Sequence, residues 1–172
     1  MQFFFSLLVC VLPGVLLLSW HVFRWRLISI KWLLVFSIWG IASPLLAVQF
    51  GALLNQFLPA LTIEKQGVDI IVPNAKALWM HSLISIGPVE ELSKSLLVLL
   101  LVLLRRANRT IIFVGMTISA AIFSSAENAY AAHIMNSVGT AFLRVLTSFP
   151  LHLTFAMMGC SLLWWAQDKK LA

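Results

Sequence analysis

Glu90, Glu91 and Lys94 lie in GPVEELSKSL, Glu127 and Asn128 in FSSAEN, and His152 in LHLTFAMMG. All three segments belong to long apolar stretches. The chain has six Asp and Glu in all, so half of its carboxylates occupy the setting where a charge is most costly, roughly 2.5 kcal/mol and upward within a lipid-spanning helix. Such placement points to a functional site rather than to solvation. Glu90 and Lys94 are i,i+4, and Glu91 and Lys94 are i,i+3, so one lysine faces two carboxylates on a shared helix face. Two carboxylates this close in a low dielectric do not both ionise readily. One is expected to keep its proton, which lets one site hold a base and an acid. Glutamates and a histidine can activate water for hydrolysis, relay protons, or hold a divalent metal such as zinc.

The elements that must position these residues follow from composition. The chain has 172 residues, 61% hydrophobic and 10% charged, with mean hydropathy +0.98. That excludes a disordered chain, a collagen-like chain and an ordinary water-soluble globule. The expected fold is all-α, a polytopic transmembrane helix bundle with about five spans in one integral membrane domain over 1–172. The apolar runs place the spans at Phe3 to Trp20, Trp32 to Leu58, Leu78 to Leu104, Ile111 to Met135 and Val145 to Ala166. Each can cross roughly 30 Å of hydrocarbon at about 1.5 Å per residue. The first has no basic segment before it and no small-residue cleavage site after it, so it is read as a retained span. Cys10 and Cys160 fall inside apolar runs with no metal-site spacing and are read as packing residues.

The formal net charge of +6 is read as a loop bias, not as a nucleic-acid surface. Arg24, Arg26, Lys31, Arg105, Arg106, Arg109, Lys169 and Lys170 fall on one side, and Lys65, Lys76 and Arg144 on the other. The positive-inside rule then sets the N-terminus outside and the C-terminus in the cytoplasm. The long polar loop Pro59 to Ala77 lies outside, and most tryptophans mark span ends as an interfacial belt.

Depth tests whether the ionisable residues can meet. Glu90, Glu127 and His152 fall roughly 18, 12 and 10 Å below the outer ends of their spans, equal within the uncertainty of the span limits. They are therefore expected to converge in the outer half of the bundle. Ala120, Ser124, Asn128 and Ala132 make a small or polar stripe on the fourth span, and His152, Ala156 and Gly159 a similar one on the fifth, so neighbours can approach closely. Phe123 lies one turn before Glu127. Pro88 and Pro150 are expected to open or bend their helices near the site. Blander readings exist for each group: a structural ion-pair network for Glu90, Glu91 and Lys94, an interhelical hydrogen-bond pair for Glu127 and Asn128, and a core histidine for His152. His81 lies one turn into the third span, His21 in a basic loop and His133 near a helix end.

An E-E-x-x-K motif, then F-x-x-x-E-N, then a His followed seven residues later by Gly, each on its own span, resembles the PrsW family of intramembrane proteases. That family is related to the CAAX prenyl endopeptidases and the bacteriocin-processing proteins. The resemblance covers about 78–166, which makes that segment the expected catalytic core. It implies an intramembrane endopeptidase of a bacterial cytoplasmic membrane, cutting a single-span membrane protein such as an anti-sigma factor on the outer side. The implied roles are Glu90 or Glu91 as general base on a water, His152 as its orienter or as proton donor to the leaving amine, Glu127 in the proton network, Asn128 as donor to the oxyanion, and Lys94 as the electrostatic anchor of the glutamate pair. A metal, if present, is expected on Glu90, Glu127 and His152. The absence of H-E-x-x-H and the single histidine favour water activated by Glu and His alone. Two other function classes fit the buried charges: a proton- or cation-coupled transporter, disfavoured by the absence of repeated halves, and a non-enzymatic scaffold or immunity-type protein.

Overall fold

The computed structural model describes residues 2–20, 29–57, 65–66, 69–70, 86–135 and 137–171. These residues form five helices: α1 (Gln2–Trp20), α2 (Ile30–Phe57), α3 (Gly87–Leu103), α4 (Arg109–Met135) and α5 (Val138–Leu171). Two two-residue strands, β1 (Lys65–Gln66) and β2 (Asp69–Ile70), pair antiparallel within the expected outer loop. The described residues are all-helical apart from this small ribbon. Helices are the form in which a chain surrounded by lipid satisfies its own backbone groups. By length and composition α2, α4 and α5 are each able to cross a membrane, and Leu8–Trp20 is a shorter apolar helix. The first eight residues of the expected third span, with His81 and Trp79, lie outside the described residues, as do His21 and Trp25.

Helix α4 is the centre of the bundle. It packs against each of the other four helices, and α1, α5, α3 and α2 follow one another around it. Its sequence explains why. The stripe Ala120, Ser124, Asn128 and Ala132 is fully buried, and small residues are what let helices approach in lipid, where water supplies no drive toward association. Gly115 marks a tight crossing: a Cβ there would stand 2.7 Å from Val98 Cγ2 and 2.8 Å from the ring of Phe36. Around that point Phe36, Val98, Ile112, Val114 and Ile118 form the apolar core. Cys10 and Cys160 are buried free thiols, each within an apolar cluster.

Two sequence expectations shift. The last helix begins at Val138 rather than near Val145, so Arg144 stands inside α5 and not in a loop. The reason is local: Arg144 finds a carboxylate on α4, so the helix need not break to keep that charge in water. Pro88 stands in the first turn of α3 as described, where a missing N–H removes no intrahelical bond. Pro150 lies within α5, which continues on both sides of it.

Candidate active site

Three helices deliver the ionisable groups to one point. α3 brings Glu90, Glu91 and Lys94, α4 brings Glu127 and Asn128, and α5 brings Arg144 and His152. One donor atom from each of Glu90, Glu127 and His152 lies within 4.8 Å of the others. The convergence expected from helix depths is present in the structure.

His152 is buried and sits at the middle of the network. Its Nε2 is 3.0 Å from Glu127 Oε2, and its Nδ1 is 2.6 Å from Lys94 Nζ and 3.4 Å from Glu91 Oε1. Lys94, also buried, donates to Glu91 Oε1 at 2.5 Å. An ammonium has donors only and a carboxylate acceptors only. These partners therefore assign a neutral imidazole that accepts at Nδ1 from Lys94 and donates from Nε2–H to Glu127. Phe123 closes the pocket, with its ring edge-on to His152 at 5.7 Å and Lys94 Nζ 4.4 Å from its centroid. The aromatic expected beside Glu127 thus packs on the histidine and the lysine. A cation held over an aromatic face away from water is stabilised by the ring quadrupole.

Glu90 differs from its neighbours. Among the described residues Glu91 is bonded by Lys94 and Glu127 by Arg144 and His152, while Glu90 makes no hydrogen bond or ion pair. It is half-buried at the rim of the cluster, with its oxygens uncommitted.

Sequence reasoning missed Arg144. It donates through Nη2 to Glu127 Oε1 and through Nε to Asn128 Oδ1, the latter at 3.0 Å. Asn128 in turn donates from Nδ2 to Ser124 Oγ at 3.3 Å, so both ends of its amide are engaged. The signal was a charge imbalance: three carboxylates within apolar runs had one lysine between them, and Arg144 was the nearest unassigned cation, two turns before His152. Trp39 of α2 was also missed. Its indole N–H reaches the backbone oxygens of Ser93 and Lys94 at 3.2 and 3.1 Å, fixing the turn of α3 that carries the lysine. Ser93 and Ser95 donate back to Val89 and Glu91 carbonyls on the same helix.

The donor set fits a divalent metal. Two carboxylate oxygens and one imidazole nitrogen are the ligand types and number that catalytic zinc sites use, with a position left for water. Three carboxylates stand against two cationic side chains, so the cluster carries a formal negative charge toward an added cation.

Residues 29–171 match the family model described as PrsW family intramembrane metalloprotease. The comparisons with curated proteins and with solved structures gave no match.

Proposed function

The chain belongs to the PrsW family of intramembrane metalloproteases, and from that premise we propose that Glu90, Glu91, Lys94, Glu127, Asn128, Arg144 and His152 form the centre with which this membrane-embedded peptidase hydrolyses its membrane protein substrate. The single observation that supports this reading is the meeting of Glu90, Glu127 and His152 within 4.8 Å, from three helices, at a level the apolar runs put inside the membrane.

Each residue has a role its contacts suit. Glu90, with no bonded partner among the described residues, is free to take a proton from the attacking water, and is the general base. The proton that Glu90 takes is then passed to the leaving amine, and His152, a neutral imidazole held between Lys94 and Glu127, orients the reacting water. Glu127, held on one oxygen by Arg144 and on the other by His152, fixes the imidazole in place. Lys94 holds Glu91 and the far side of the imidazole. Asn128 spends its amide on Ser124 and Arg144, so it orients the arginine in preference to meeting an oxyanion. A divalent metal, zinc being the ion this donor set suits, would be held by Glu90, Glu127 and His152. It would polarise the scissile carbonyl and lower the pKa of a water. In that case Glu90 would serve as a ligand, and Glu91 would be the carboxylate of the cluster left to act as base.

The substrate class proposed is a single-span membrane protein, an anti-sigma factor by family resemblance, cut on the outer side of a bacterial cytoplasmic membrane. The basic loops support an outer N-terminus and a cytoplasmic C-terminus. The test is the purified chain in proteoliposomes with a single-span reporter carrying a fluorophore pair across its outer juxtamembrane segment. Wild type releases the outer fragment, and Glu127→Gln and His152→Ala do not. Undiminished release by both variants refutes the assignment.

A further inference from the structure

The structure holds a cavity at the opposite end of the helices from the expected outer side. It has a volume of about 530 Å³ and is lined by Val102, Leu103 and Ala107 with Ala166 on one part and by Arg105 and Arg109 on another. It lies where α3 and α5 finish and α4 starts, which for apolar helices is the membrane interface. Its walls are apolar toward the bundle and charged toward the end, where Asp168 stands with the two arginines.

The turn that presents Arg105 is unusual. Arg105 N–H bonds Val102 O at 3.0 Å and Arg106 N–H bonds Leu101 O at 2.8 Å, the paired bonds of a Schellman stop. The residue at the left-handed position of that motif is ordinarily glycine. Here it is Arg105, with φ 55°, the single non-glycine residue with positive φ among the described residues. A side chain with a Cβ is disfavoured in that conformation, and the helix dipole offsets only part of that cost for a cation at this end. Nor is its charge satisfied among the described residues. Arg109 donates twice to Asp168, at 2.6 and 2.8 Å, and no carboxylate among the described residues pairs with Arg105. The cavity therefore offers one unspent guanidinium beside an apolar slot.

We propose that this cavity binds a phospholipid with an anionic headgroup, its phosphate on Arg105 and its acyl chain along Val102, Leu103 and Ala166. Charge complementarity selects the headgroup, and the apolar wall selects a lipid over a free anion. Basic pockets at the ends of membrane helices suit such headgroups, and a guanidinium binds phosphate in a forked, two-bond geometry. The site is remote from the His152 cluster in the fold, so the proposal does not depend on the catalytic assignment.

The test is native mass spectrometry of the full chain released from detergent, titrated with phosphatidylglycerol and with phosphatidylcholine of the same acyl chains. Wild type binds its first phosphatidylglycerol about tenfold more tightly than phosphatidylcholine. Arg105→Gln keeps the left-handed turn and loses that preference. Arg105→Gly also loses it, while relieving the backbone, so its Tm in zwitterionic detergent rises by about 2–4 °C. Millimolar inorganic phosphate leaves the lipid bound. Equal affinity for the two lipids, a preference that survives in both variants, or displacement by inorganic phosphate overturns the proposal.

Discussion

Replacing Arg144 by methionine isolates the contact that links α5 to Glu127. The guanidinium and carboxylate are 29% and 31% exposed, between the limits for which pair energies are known. An exposed pair contributes about 0.2–1 kcal/mol, and stripping one partner from a fully buried pair costs about 3–5 kcal/mol. With a third of each side chain still solvated, the expected loss is about 1.5–2.5 kcal/mol, part of it from the bond to Asn128 Oδ1. The Arg144–Glu127 coupling alone is expected at about 1–2 kcal/mol. The assay is a double-mutant cycle of Arg144→Met and Glu127→Gln, with stability read by denaturant unfolding in mixed micelles. Cleavage by Arg144→Met is expected to fall about tenfold or more, since Glu127 then holds His152 with one oxygen unsupported. Arg144→Lys restores the charge but not both bonds, so it recovers only part of the rate. Effects that add within about 0.3 kcal/mol refute the claim that this pair positions the site.

Lys94→Met leaves the carboxylate of Glu91 without its buried cation and is expected to cost about 2–4 kcal/mol; Lys94→Met with Glu91→Gln should recover most of it in the same unfolding assay. Gly115→Ala places a methyl against Val98 and Phe36 and should destabilise by about 1–3 kcal/mol, whereas Gly51→Ala, with open space around it, should be neutral or stabilising by thermal unfolding. Trp39→Phe removes the indole N–H from the Ser93 and Lys94 carbonyls and should lower the cleavage rate more than stability. Metal analysis of purified protein should find about one divalent ion per chain, lost together with cleavage in His152→Ala and on chelation.

Much of this arrangement was legible in the sequence because lipid imposes simple rules. Apolar runs set α1, α2 and α4 to within a few residues, and the carboxylates of α3 and α4 stood out against them. Helix rise alone placed Glu90, Glu127 and His152 at one level. What was not legible depended on which face meets which. Arg144 was counted as a loop charge because hydropathy ends a span at a cation, whereas a cation with a carboxylate partner can stay in the helix. Trp39 looked like one more aromatic in an apolar run, since an indole bonded to another helix's backbone leaves no pattern in its own. Asn128 was read as an oxyanion donor before its amide was seen to be engaged by Ser124 and Arg144.

The central claim is that one cluster, with Glu90 at its free edge, carries out the hydrolysis. Its most direct measurement is the initial rate of reporter cleavage in proteoliposomes by Glu90→Gln against wild type, with folding matched by circular dichroism and thermal unfolding. Because Glu90 bonds no described residue, the variant should fold as wild type does and lose at least about 100-fold in rate. A folded Glu90→Gln protein that cleaves within about threefold of wild type contradicts the account.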